Sequence, residues 1–303
     1  MNTILLKKLL VLSIIALGFL GPVRQAKGDT ILYGSSGDTN ANGGGLLYRI
    51  DVTTQTVTLI GNTGFDRLGG IAFDNNGVLY GAAGGALNSL PGKLITIDLN
   101  TAAAAAVGTF ASNLGVEALR FNSQNTLYGG ALDSNISNGV LLTIDPTNAN
   151  ILSSVPTVGS GSNSLTPGLA FNSADVLYGS RGNSFLHAED VDLVDPTTGV
   201  LTPLPLSIPD PAHPISDLSF GSDGILYGSS AFGQLYSIDS TTGLETLLFD
   251  THILKFSGLA SQFVPSGPQG GVPDTGSSLL LFGSALVTVI FFYRRHNSWS
   301  AHA

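Results

Sequence analysis

Leu-Tyr-Gly begins at Leu32, Leu79, Leu127, Leu177 and Leu226, at spacings of 47, 48, 50 and 49 residues. A repeat of this length, built from strand formers and turn residues without helical periodicity, specifies an array of small β units. The second unit shows the order. Residues 70–73 form a short apolar run, Asp74-Asn75-Asn76-Gly77 a turn, and residues 78–81 a second run. After a variable loop, residues 93–98 form a third strand, and a turn at 99–101 leads to a fourth ending near Phe110. Four short strands joined by turn chemistry make an antiparallel meander, and the period fits β-propeller blades. The oligo-alanine stretch 102–106 falls in the turn and the fourth strand of this register rather than in a helix.

The register is tight. Phe73, Phe121, Phe171 and Phe220 each stand six residues before the Leu of the following Leu-Tyr-Gly, and the third strands end in Asp51, Asp98, Asp145, Asp195 and Asp239. The first Leu-Tyr-Gly has no Gly-Leu-Ala run before it, whereas the last such run, at 258–260, has no Leu-Tyr-Gly after it. The two ends therefore complete one blade. The expectation is an all-β, five-bladed propeller over residues 29–264, closed by pairing of the N- and C-terminal strands. Such closure removes exposed sheet edges. An open solenoid would need capping ends, and none are evident.

Outside the repeat the composition changes. Lys7 and Lys8 precede the apolar run 9–20, and Ala26-Lys27-Gly28 supplies small residues for cleavage, so residues 1–28 read as a signal peptide. A Gly/Pro linker, 265–271, leads to Val272-Pro273-Asp274-Thr275-Gly276, an apolar stretch 279–293, and Arg294-Arg295, with 296–303 as a cytoplasmic tail. Fifteen apolar residues rise only about 22 Å as a helix, short of a hydrocarbon core of about 30 Å, so a span must borrow flanking residues or thin the bilayer. The arginines would stay cytoplasmic while the body remains outside.

This tripartite tail, residues 272–295, resembles the PEP-CTERM class of sorting signals in its VPDSG-type variant, with Thr275 where that class usually has Ser or Gly. The resemblance implies a partner: a membrane-embedded, exosortase-type cysteine peptidase that cuts near the motif and transfers the body to the cell envelope, surface or extracellular matrix. The same five residues also resemble the LPxTG signal of sortases, with Val272 replacing Leu. An ordinary tail anchor is the third reading.

Residues 29–271 hold six Lys or Arg against twenty Asp or Glu, an excess that repels nucleic acid and anionic lipid. The chain has no cysteine, which excludes disulfides, Fe–S ligation and thiol catalysis. Its stability must come from the core.

Repeated residues have structural roles. The five terminal aspartates precede Thr, Asn or Pro turns, where a carboxylate accepts backbone N–H groups. The repeated tyrosines fit packing between blades. In a closed ring the short hairpin turns share one face, and the irregular loops and blade crossings share the other. Irregular loops on a rigid scaffold are where binding sits. On that face Asp38, Asn40 and Asn42 match the first half of a calcium loop, although Arg49 stands where its bidentate Glu would be. His187, His213 and His252 fall in loops of the same face but lack ligand spacing, so no cofactor is expected beyond a calcium ion at the partial loop. Glu117, Arg120 and Asp217 interrupt the apolar first-strand pattern near the axis. Glu117 and Asp217 are the carboxylates that acid–base chemistry would need, and a buried or pore-lining ion pair is the competing role.

Two functions remain. One is a noncatalytic surface or matrix protein that binds exopolysaccharide, other glycans or envelope proteins. The other is a secreted propeller hydrolase or lactonase with a metal or carboxylate site on the irregular face.

Overall fold

The computed structural model describes residues 29–37, 45–84, 91–133, 138–159, 165–183, 187–207 and 215–262. The leader, the linker and the sorting tail lie outside the described residues. Blade 1 begins with β1 (Ile31–Ser36), β2 (Leu46–Asp51) and β3 (Thr56–Asn62). Blade 2 holds β4 (Leu68–Phe73), β5 (Leu79–Ala83), β6 (Lys93–Ile97) and β7 (Ala104–Thr109). Blade 3 holds β8 (Leu114–Phe121), β9 (Leu127–Asp133), β10 (Asn138–Ile144) and β11 (Ile151–Pro156). Blade 4 holds β12 (Leu165–Phe171), β13 (Leu177–Asn183), β14 (His187–Val194) and β15 (Leu201–Pro203). Blade 5 holds β16 (Ile215–Phe220), β17 (Leu226–Ser230), β18 (Gln234–Ile238) and β19 (Glu245–Asp250), after which β20 (Phe256–Ala260) returns to blade 1.

Each blade is a four-stranded antiparallel meander, and in blade 1 the order is β20-β1-β2-β3. The innermost strands touch in a ring, β4 to β8, β12, β16, β20 and back to β4. The chain is a five-bladed β-propeller, closed as its incomplete first and last repeats require.

The repeated tripeptide explains why the blades stack. Leu32, Leu79, Leu127, Leu177 and Leu226 are buried in the layers between blades. Each Tyr of blades 1 to 4 meets the Phe that ends the next blade's inner strand: Tyr33–Phe73, Tyr80–Phe121, Tyr128–Phe171 and Tyr178–Phe220, with centroids 5.2–5.4 Å apart. Such pairs add about 0.5–1.5 kcal/mol each beyond area burial. The Gly admits neighbours where a side chain would stand: a Cβ on Gly81 would lie 2.7 Å from Leu68 Cδ1.

The terminal aspartates fix the outer hairpins. Asp51 accepts from the N–H groups of Thr53 and Thr54, Asp98 from Asn100 and Thr101, Asp195 from Thr197 and Thr198, and Asp239 from Thr241 and Thr242. Asp145 accepts from the Thr147 N–H, and Asn148 donates to it from its side-chain Nδ2. Three of these turns then dock on the outer strand of the preceding blade with complementary sizes. Gly61 faces Ala102, and Gly108 faces Ala149. At the next junction the sizes exchange, with Val155 against Gly199 in the turn.

The loop-side hairpins are longer than the sequence suggests. Pairing of β9 with β10 continues to Asp133 opposite Asn138, and β13 with β14 to Asn183 opposite His187. His187 therefore opens a strand instead of lying in a loop. The polar composition there hid the ladder, because backbone pairing does not require apolar side chains.

A Cβ on Gly108 would stand 2.1 Å from the Asn148 carbonyl oxygen, a backbone atom. Gly108→Val is expected to destabilise the protein by about 1–3 kcal/mol in urea denaturation, whereas Thr109→Ala, on the same strand but exposed, stays within about 0.5 kcal/mol. Equal midpoints for the two variants would contradict this docking.

Candidate functional site

Aligned by register, the inner strands give columns of equivalent residues around the axis. One column reads Gly70, Ala118, Gly168, Asp217 and Gly258; two residues further along, Ala72, Arg120, Ala170, Ser219 and Ala260 form another. At the glycine positions no side chain fits, since a Cβ on Gly70 would come within 2.6 Å of the β8 backbone and one on Gly168 within 2.6 Å of β16. Each column contains one charge, and the two charges meet.

The Asp217 carboxylate accepts the N–H groups of Leu169 (3.3 Å), Leu218 (2.8 Å) and Leu259 (2.8 Å). Arg120 donates to the carbonyl oxygens of the same three residues, from Nε to Leu169 (2.8 Å) and from Nη2 to Leu218 (2.5 Å) and Leu259 (2.8 Å). Its Nη2 lies 3.7 Å from Asp217 Oδ1. The pair thus satisfies both polar groups of one peptide layer in blades 4, 5 and 1. Beyond Arg120, towards the turn face, Phe73, Phe121, Phe171 and Phe220 close the axis together with Ser219 and Ser261. About 10 Å³ remains among them, the space of a single water.

Burial pushes the Asp217 carboxyl up to about 7, against the opposing pull of Arg120 and the three N–H donors. Burial also lowers the Arg120 guanidinium, while Asp217 raises it. Asp217 has no exposed surface. Glu117, one strand position above the axial layer, forms a bidentate ion pair with Arg67 of blade 2, Nη1 to Oε1 at 3.1 Å and Nη2 to Oε2 at 2.5 Å. The two carboxylates are thus placed in separate ion pairs, and only Glu117 reaches solvent.

The other sequence candidates divide. Asp38, Asn40, Asn42 and His213 lie outside the described residues, as do Val272 to Gly276, Arg294 and Arg295 of the sorting motif. His252 is exposed beside Asp250, with Nδ1 3.2 Å from Oδ1. Among the described residues no three His, Asp or Glu side chains gather as metal ligands, and no helix is long and apolar enough to cross a membrane.

A second buried pair was missed by sequence reasoning. Asp192 is fully buried, with Oδ2 3.1 Å from Arg181 Nε. It occupies the column filled elsewhere by Tyr48, Ile95, Leu142 and Tyr236, and Arg181 that of Ser36, Ala83, Ala131 and Ser230. Blade alignment reveals the replacement, but charges at 189–192 read as loop polarity until the register is known.

No protein-family model and no curated protein matches the chain. Among solved structures it is similar to the PQQ-bound aldose sugar dehydrogenase of Streptomyces coelicolor, at 13% identity and TM-score 0.48, covering 80% of this chain and 91% of that one. A chain of a nidogen/laminin complex gives 14% identity and TM-score 0.46, covering 77% and 98%. A 6-phosphogluconolactonase-like protein from Bacteroides uniformis gives 10% and 0.40, covering 72% and 67%. Likeness at this level carries no ligand or reaction to this chain.

Removing one partner of a buried pair leaves the other charge uncompensated. Arg120→Met is therefore expected to cost about 3–5 kcal/mol, and Arg120→Ala combined with Asp217→Gly less than the sum of the single changes. Additive losses in a double-mutant cycle would show that the two act independently.

The pH profile has two limbs. Asp217 binds its proton more tightly folded than unfolded, so its contribution is full below about pH 4 and is lost as pH rises through about 7. Hydrogen bonds at the turns hold the Asp98, Asp145, Asp195 and Asp239 carboxyls below their ordinary value, so theirs is full above about pH 4 and lost in stronger acid. Calorimetry should place the highest Tm in mild acid, and Asp217→Asn should flatten the neutral limb; a wild-type Tm that climbs from pH 5 to 8 contradicts the Asp217 assignment.

Proposed function

We propose that the chain is an exported propeller, sorted through its C-terminal signal to the envelope or matrix, where it acts as a noncatalytic binding or structural protein. The observation that carries this reading is the state of the axis. It is where inner strands of all five blades converge, and its charged groups are spent on holding the ring. Asp217 and Arg120 are engaged with each other and with the peptides of Leu169, Leu218 and Leu259. Glu117 is engaged with Arg67.

Export and sorting rest on residues 1–28 and 272–295. A basic start, an apolar run and a small-residue cleavage site lead the chain out, and the motif, apolar segment and Arg-Arg order hold it for processing by an exosortase-like peptidase. The acidic body then stands off anionic lipid and nucleic acid. Its partners are exopolysaccharide, other glycans or envelope proteins, met on surfaces away from the axis.

The mature protein recovered from envelope or matrix fractions is expected to lack Arg294 and Arg295 by intact mass. An envelope form that retains both removes the sorting step. Turnover of a glycoside or lactone that disappears in Glu117→Ala, with unchanged Tm, would replace the noncatalytic role by a hydrolase.

A further inference from the structure

The inner hairpin turns of blades 2, 3 and 4 are tied to one another through residues in the left-handed region. Asn125 (φ 60°) accepts the Asn75 N–H at 2.8 Å, and Asn75 Nδ2 donates to the Ser123 carbonyl at 2.8 Å. Asp175 (φ 60°) accepts the Ser123 N–H at 3.0 Å and Gln124 Nε2 at 3.0 Å. Blade 5 breaks this series. The equivalent residue is Gly224 (φ 76°), and a Cβ there would meet nothing within 4 Å. The preceding Asp223 turns back into its own blade, accepting from Tyr227 Oη at 2.8 Å.

Beside Gly224 a groove of about 460 Å³ opens between the inner hairpin turn and the outer turn of blade 5. Its size falls in the range of about 300–1,000 Å³ common for small-ligand sites. Ser237, Ser240, Thr241 and Thr246 line it, and their hydroxyls make no hydrogen bond to any described residue. Leu244, 53% exposed, and Ile225, 36% exposed, add aliphatic surface. The lining contains one charge, Asp239, whose Oδ1 is taken by two turn N–H groups.

We propose that this groove binds a neutral, polyhydroxylated ligand of one or two sugar rings. Hydroxyls that both donate and accept match those of a sugar, and the two aliphatic side chains suit the C–H face of its ring. The groove has no cation to hold a uronate or phosphate, and Asp239 repels one. The inference rests on the binding role proposed above for the kind of ligand, but it places the contact on the turn face instead of the irregular loop face.

The test is calorimetric titration of the full chain with maltohexaose, cellohexaose and a neutral galactan, and separately with polygalacturonate. Thr246→Trp fills the groove from an exposed strand position; Leu152→Trp makes the same change on the outer strand of blade 3, where Leu152 is 65% exposed. At least one neutral glycan is expected to bind, with affinity lowered roughly tenfold or more by Thr246→Trp, unchanged by Leu152→Trp, and polygalacturonate bound roughly tenfold more weakly. Neutral-glycan binding that survives Thr246→Trp, preference for polygalacturonate, or no neutral-glycan binding overturns the site. The first of these leaves the binding role standing on another surface, whereas failure of envelope sorting leaves the groove intact.

Discussion

A strand beside the axis of a ring has a hydrogen-bonding neighbour on one side only, and its other edge presents backbone N–H and C=O groups towards the centre. Those groups are costly when buried without partners. The Arg120–Asp217 pair answers this constraint for the peptide layer of Leu169, Leu218 and Leu259. One carboxylate takes three N–H groups and one guanidinium takes three carbonyls, so a charge pair from blades 3 and 5 also holds the returning strand of blade 1. The remaining members of both columns can then be Gly, Ala or Ser, which lets the strands approach.

The closing junction between blades 5 and 1 differs from the others. Four junctions carry a Tyr–Phe contact, but Ser261 stands where the fifth Phe would be. Ser261 Oγ donates to the Phe220 carbonyl oxygen, and Tyr227 donates to Asp223 instead of meeting a ring. An apolar layer of Leu32, Ile50, Leu235, Ile253, Phe256 and Leu259 still joins the two ends. Closure therefore combines β20 pairing, apolar burial and the axial pair. The same loss of repetition recurs in blade 5, where Gly224 ends the series of turn-to-turn ties and a groove stands open.

Much of this was legible from the chain. Repeat spacing gave the blade number, the unmatched ends gave closure, and the Asp-Thr turns gave their own hydrogen bonds, because each depends on residues close in sequence. Glu117, Arg120 and Asp217 stood out as charges in an apolar pattern. Which charges pair did not, since Arg67 lies 50 residues from Glu117 and Arg120 lies 97 from Asp217 in the chain. The Arg181–Asp192 pair and the longer loop-side hairpins were hidden for a related reason: polar composition resembles a loop whenever the cross-strand partner is unknown.

The sequence by itself determined the five blades, the direction of closure and the turn chemistry, because these follow from local periodicity and from residue types whose hydrogen bonds are made within a few positions. Only the tertiary structure decided which charges meet, and so which are spent on the ring. Burial turns Asp217 from a candidate acid into a hub for three peptides, and Glu117 into half of an interblade ion pair. It also decided where a surface is left open, since the groove in blade 5 lies between two turns that are separate in the chain.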